Sequence, residues 1–405
     1  MEECKESPWG QIPNHWRISS VKEETDVVTD YVANGSFASL AENVKYKSEK
    51  DYAVLIRLVD YNNQFKGDFV YIDKNAYEFL GKSKLYGDEI IISNVGANVG
   101  TVFKCPHLEY KMSLAPNSIM VKFKGNNDFY YYWLKSHFGQ HMLQSIVTGS
   151  AQPKFNKTNF KDLQIPVPPL DEQESIASIL KSLDDKIEVN RRINDNLEQQ
   201  AQVLFKSWFV DFEPFRDQPF VKSELGMIPE GWRVGTIGEL LEIKYGKDHK
   251  KLSDGEIPVY GSGGLMRKCE CALYNGESVL IPRKGTLNNV MYVNEAFWTV
   301  DTMFYSIPKI DNVVLFTYLY LSGKDLASMN SGSAVPSMTT EILNNMLIVI
   351  PTEMVIRDFN ITVTSIYSRI KHGNEESRRL AQLRDTLQPR LMSGELKVNE
   401  IENAI

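Results

Sequence analysis

Two long stretches of the chain carry inward-type residues at steps of three and four. One runs Ile176, Leu180, Leu183, Ile187, Asn190, Asn194, Leu197, Ala201, Leu204, Trp208. The other runs Phe359, Val363, Ile366, Ile370, Gly373, Ser377, Leu380, Arg384, Leu387, Leu391. Each is a heptad seam with a polar centre, and sustained heptads predict helices that pack along one another. Asp171 and Glu174 behind Pro168-Pro169 read as a capping box opening the first helix. Helices of nearly 40 residues would be about 55–60 Å long at roughly 1.5 Å per residue. We expect them to pack antiparallel as a coiled coil, with Asn190 and Asn194 meeting the other polar centre and setting register at some loss of stability.

Outside these seams the pattern changes to short apolar runs bounded by turn residues. Ala53–Val59, Glu89–Ser93, Ser118–Phe123, Ser278–Pro282 and Val290–Val293 read as strands. Helical spacing returns at Asp128–Gln144 and Val313–Ala327. The order strand, helix, Gly-Ser loop, strand ending in proline, long helix occurs twice.

The repeat is visible in the residues themselves. Ser7, Gly10, Ile12, Pro13, Trp16 and Arg17 recur as Ser223, Gly226, Ile228, Pro229, Trp232 and Arg233, an offset of 216. Gly149-Ser150-Ala151-Gln152-Pro153 recurs as Gly332-Ser333-Ala334-Val335-Pro336, an offset of 183, and Pro168 recurs as Pro351. The first copy therefore holds 33 more residues in its middle. The expected fold is α+β: two globular mixed α/β domains in a pseudo-two-fold repeat, each followed by a long helix. The expected segments are 1–168, a helix and aromatic connector at 169–218, a second globular domain at 219–351 and a helix at 352–405.

Composition narrows the function. The 405 residues carry a net charge of −7 with 42% hydrophobic residues, so wholesale disorder is excluded. No apolar run is long enough to span a membrane, Met1-Glu2-Glu3-Cys4 does not resemble a secretion signal, and four cysteines make no disulfide scaffold. A cytoplasmic protein is expected.

Candidate chemistry lies in loops. Ser93–Gly100 sits between strands with Asn94 and Asn98 among glycines, and the 148–157 loop adds Ser150, Gln152, Lys154 and Lys157. The second copy clusters Lys247, Lys250 and Lys251, then Arg267-Lys268, then Arg283, Lys284, Asn288 and Asn289, with Ser333 in the repeated loop. Amides and hydroxyls can address base edges while cations take phosphates, so these residues are candidate DNA contacts. The aromatic run Phe205, Trp208, Phe209, Phe212 at the end of the first helix is a candidate partner surface.

The duplicated Ile-Pro-x-x-Trp at Ile12–Trp16 and Ile228–Trp232 resembles the specificity subunit of type I restriction-modification enzymes. So do Ile165-Pro166-Val167-Pro168-Pro169-Leu170-Asp171-Glu172-Gln173 and Phe205–Pro214. The resemblance implies two target recognition domains, each reading half of a split DNA site, and a non-catalytic chain. It also implies two modification (methyltransferase) subunits docked on the helices and restriction subunits in a larger assembly. No cofactor is expected in this chain; S-adenosylmethionine, ATP and Mg are expected in the partners. Half-sites about one helical turn apart, roughly 34 Å, would lie on one face of the duplex. The second copy departs from the pattern where Thr352-Glu353-Met354-Val355-Ile356 replaces Pro169-Leu170-Asp171-Glu172-Gln173.

Two rivals stand beside this reading. Asp88 with Glu109-Tyr110-Lys111 loosely imitates a metal-dependent nuclease, and a scaffold without DNA contact would share the same helices. The methyltransferase motif, a phosphate loop and a dinucleotide fingerprint are all missing. Gly261-Ser262-Gly263-Gly264 reads as a turn. Cys269 and Cys271 lack a second pair at zinc spacing, and His137 and His141 lack the glutamate of a zinc protease, so no metal site is expected.

Overall fold

The computed structural model describes residues 4–329 and 337–398. The chain forms two compact units: one from residues 1–188 and 377–405, the other from residues 189–376. Each unit thus takes one globular segment together with parts of both long helices. The helices themselves run Leu170–Phe209 and Glu353–Met392. None among the described residues is long and apolar enough to cross a membrane.

The first unit opens with a hairpin, Cys4–Ser7 against Gly10–Pro13. Strand Arg17–Ser20 then pairs antiparallel with Gln164–Val167 and closes the unit at its base. Residues 21–163 are therefore looped out between two paired strands. They hold two four-stranded sheets. One is ordered Val70–Ile72, Ala53–Ile56, Lys111–Leu114, Lys84–Leu85, and the other Thr25–Asp30, Ser118–Phe123, Ile90–Ser93, Val102–Lys104. The expected strand 53–59 stops at Ile56, because Asp60 accepts from the backbone and guanidinium of Arg57 and starts helix Leu58–Asn62. The expected helix 128–144 is broken at Ser136, whose hydroxyl takes the Gly139 amide and restarts the chain as His137–Ser145. The break lets Gly139 sit where a Cβ would lie 2.2 Å from the Trp133 carbonyl.

The second unit repeats the frame. Phe220–Ser223 pairs with Gly226–Pro229, and Arg233–Thr236 pairs with Leu347–Ile350. Between them lies one six-stranded sheet: Leu241–Tyr245, Met303–Pro308, Tyr274–Pro282, Met291–Thr299, Ile257–Gly261, Gly264–Cys269. The apolar helix Val313–Ser322 is buried along most of its length and shares one core with Val279, Ile281 and Phe304. The closing contacts match the first unit. Val21 donates to the Leu163 carbonyl at 2.9 Å, and its counterpart Ile237 donates to Met346 at 3.0 Å.

The helices pack antiparallel within each unit, seam to seam. In the first unit Asp184 meets Arg384 at 2.6 Å, and Ile176 and Leu180 share a core with Leu387 and Leu391. In the second, Asn190 donates to Glu376 at 2.7 Å and Asn194 to Asn374 at 2.9 Å, so the polar centres do meet. Phe205, Trp208 and Phe209 surround Phe359, with ring centroids 6.2, 5.6 and 4.7 Å away. The first helix begins at Leu170. Gln173, rather than Glu174, secures its first turn by accepting from the Asn126 amide and donating to the Pro168 carbonyl, both at 2.9 Å.

Candidate nucleic-acid interface

In the first unit the sheet strand Ile90–Ser93 runs into the loop of Asn94–Gly100. Gly96 and Gly100 adopt positive φ, so the loop can fold back until Gly100 donates to the Ser93 carbonyl at 2.8 Å. The second loop pinches itself shut through Thr148 and Lys154, which exchange two backbone hydrogen bonds of 2.8 and 2.9 Å. The fold then ties the two loops together. Gly96 donates to Pro153 at 2.9 Å and Phe155 to Asn94 at 3.1 Å, with a bridge between Val95 and Lys154. Sequence separation concealed this pairing.

Asn98, Ser150, Gln152 and Lys154 stand exposed on the joined loops. Asn94 and Lys157 are bonded within the unit. The Asn94 amide donates to the Phe155 carbonyl at 3.0 Å, and the Lys157 ammonium is held by Asp30 at 2.8 Å. Asp30 also caps the Ala33 amide, so this ion pair fixes the turn beside the loops. A cleft of about 580 Å³ adjoins them, walled by Tyr31, Val32, Phe37, Tyr46 and Asn117.

The second unit rebuilds the same frame with other side chains. Met338 donates to the Arg283 carbonyl at 2.9 Å, and Lys284 bridges Ser337. Met338 and Ser337 are the counterparts of Phe155 and Lys154, so the loop junction is the same while its side chains differ. Ser333 lies outside the described residues.

Lys247, Lys250, Lys251 and Lys284 are exposed. Several other candidates are engaged within the unit. Asn288 donates to Asp325 at 3.0 Å and accepts from the Ala327 amide at 2.9 Å, while Asn289 donates to the Ser262 carbonyl at 2.8 Å. Arg267 donates to the Leu252 carbonyl at 2.5 Å, and Arg283 lies over the Tyr245 ring, 5.4 Å from its centroid. Lys268 pairs with Glu256 at 2.6 Å, but both are largely exposed, and a pair of that kind contributes about 0–1 kcal/mol and yields readily to a phosphate.

The aromatic run does not form an open patch. Phe205 and Phe209 are buried, and Trp208 and Phe212 are half-buried against the same core. Phe212 takes a left-handed conformation that turns the chain back, which brings Phe215 to 4.8 Å from Trp232. What is left outside is a groove of about 580 Å³ over Phe205, Phe209 and Phe316, rimmed by Val203, Val210 and Leu225. Among the described residues no three or more His, Cys, Asp and Glu side chains are placed together to hold a metal ion, and the Asp88 carboxylate is hydrogen-bonded to His107 at 2.9 Å.

Two units with one loop frame and different exposed side chains define a two-part recognition protein. Residues 31–199 and 229–354 each match the type I restriction modification DNA specificity domain. The chain belongs to that family, and its role is that of a non-catalytic DNA-specificity chain. It is 26% identical to the type I restriction enzyme MjaIX specificity subunit of Methanocaldococcus jannaschii, over 98% of each chain. It is 25% identical to the HindI specificity subunit of Haemophilus influenzae over 60% of this chain and 71% of that one. The S subunit of a type I restriction-modification system from M. genitalium shares the fold, with a TM-score of 0.52 at 17% identity over 95% of this chain and 98% of that one.

Proposed function

We propose that this chain reads a bipartite DNA sequence, one half per unit, and carries the result to two docked modification subunits. The observation that supports it best is the repeated loop junction: Phe155 to Asn94 in one unit, Met338 to Arg283 in the other, with unlike side chains projecting from like backbones. A fixed frame with changed donors and acceptors is what two different half-sites require. Asn98, Ser150, Gln152 and Lys154 would contact one half, and Lys247, Lys250, Lys251 and Lys284 the other. The acidic total charge leaves much of the nonspecific grip on phosphates to the partners. Those partners would hold S-adenosylmethionine and, with restriction subunits added, ATP and Mg, in the cytoplasm where the DNA lies.

The test is to sequence modified adenines in cells that carry this chain with its modification subunits. A split motif is expected. Exchange of residues 237–346 for those of another family member should alter one half only, because that segment is looped out between the paired strands Arg233–Thr236 and Leu347–Ile350. A continuous motif, or a change in both halves, would count against the reading.

A further inference from the structure

The six-stranded sheet of the second unit ends in the hairpin Ile257–Gly261 and Gly264–Cys269. Adjacent residues of a strand ordinarily face opposite sides, so one of two apolar neighbours should be covered. Here Leu265 is 59% exposed and Met266 56%. The cause is a slip of register: Val259 faces Arg267 but Tyr260 faces Leu265, which leaves Met266 as an extra residue. A bulge of this type re-aims side chains.

The tip is held firmly. Arg267 donates to the Leu252 carbonyl at 2.5 Å, Asn289 to the Ser262 carbonyl at 2.8 Å, and Val300 to the Tyr260 carbonyl at 3.0 Å. These bonds set two basic segments against the hairpin: 247–252 with Lys247, Lys250 and Lys251, and 283–289 with Lys284. Acidic residues are also near: Asp254 and Glu256 lie against Arg267 and Lys268, Asp248 accepts from the Lys250 amide at 3.1 Å, and Glu270 accepts from the Ser253 amide at 3.2 Å. A fixed apolar tip attached to two segments that carry exposed lysines suits a protein partner poorly, because lysine is depleted from protein interfaces. It suits duplex DNA, where lysines take phosphates and the tip meets stacked bases.

We propose that the Leu265–Met266 tip is a wedge that enters between two base pairs of duplex DNA and kinks it. The inference rests on the DNA-reading function given above. Its consequence is that part of the second unit's sequence preference comes from how easily one base step unstacks. Pyrimidine–purine steps unstack most readily, so the half-site of this unit should contain one.

The experiment uses the full chain in complex with its modification subunits, on a duplex carrying the motif found by sequencing. 2-Aminopurine is placed in turn at each position of the half-site that responds to exchange of 237–346, leaving out the modified adenine and its two neighbours, because the modification subunits turn that base out of the stack. With the native chain, fluorescence should rise several-fold at a single step. Leu265→Ala should abolish the rise and weaken binding by about tenfold, and Leu265→Met should restore both. Leu265 is exposed, so an unchanged melting temperature checks that the variant is folded. A rise that persists in Leu265→Ala/Met266→Ala overturns the wedge alone. Loss of the modification subunits from the variant on size exclusion makes the tip a protein contact and overturns it as well. A native complex without salt-dependent DNA affinity removes the parent reading together with the wedge.

Discussion

Glu23 and Glu239 occupy matching places in the two units, each as the third helical residue, closing a capping box with Ser20 or Thr236. Glu23 accepts from the Ser19 hydroxyl at 2.8 Å, and Glu239 accepts from Arg233 at 2.7 Å and from the Thr236 amide at 2.9 Å. The Ser19 hydroxyl, and then the Ser20 backbone, hold the Glu23 carboxyl below its ordinary value of 4.5; Arg233, and then the Thr236 backbone, do the same for Glu239. A carboxyl depressed in the folded state adds stability above its unfolded value, and that stability is lost as pH falls through the folded value. The loss is therefore expected below pH 4.5. Melting curves of Glu23→Gln/Glu239→Gln should lie below those of the native chain at neutral pH. They should fall less steeply with acid between about pH 5 and pH 3. Parallel curves would show that the two boxes do not titrate with folding. The sequence displays Ser20-x-x-Glu23 and Thr236-x-x-Glu239 openly, yet the Arg233 bond reaches across six residues and depends on how the strand leads into the helix.

The long helices show the same division one level up. Period and polarity alone pick out the inward face, and nearly every position of both seams is buried or half-buried. Their polar centre depends on the partner helix. Gly373 leaves room for Asn194, whose Oδ1 would lie 2.8 Å from a Cβ at that position. Asn190 is buried, and its amide reaches the Glu376 carboxylate. Buried polar layers of this kind hold register while weakening the pair relative to apolar packing. Asn190→Leu with Glu376→Leu should therefore raise unfolding stability in urea by about 1–2 kcal/mol and broaden the helix pairing. A loss of stability in the double variant would mean that the layer contributes more than register.

At the scale of the whole chain, the first unit is completed by residues far away in sequence. Leu391 and Met392 are buried beside Trp16, and the Gln388 side chain donates to the Tyr132 carbonyl at 2.7 Å. Tyr132 donates to Asp184 at 2.9 Å, which also holds Arg384; burial, and then the Asp184 charge, push the tyrosine hydroxyl well above its ordinary range. Gly394 has φ +72°, and a Cβ there would lie 2.4 Å from Pro13. Under the 183-residue offset, Leu391 and Met392 stand where Trp208 and Phe209 stand in the second unit. The aromatic run is thus the closing piece of a unit, repeated in aliphatic form at the second helix end. Leu391→Ala/Met392→Ala should destabilise the first unit by roughly 4 kcal/mol or more. Hydrogen exchange should then speed up through residues 4–188 while residues 189–376 keep their protection. Equal change in both units would contradict this division of the chain.

The duplication, the two seams, the strand-rich middles and the loops carrying amides and lysines were all determined by the sequence, because each depends on local spacing or on comparing one half of the chain with the other. Tertiary structure alone decided which candidates stay available. Lys157 meets Asp30 from 127 residues away, and Asn288 meets Asp325 from 37. It also decided that Phe205 and Phe209 face inward and that a one-residue bulge leaves Leu265 and Met266 outside. A side chain's freedom is set by what the fold brings next to it, and no local pattern contains that neighbour.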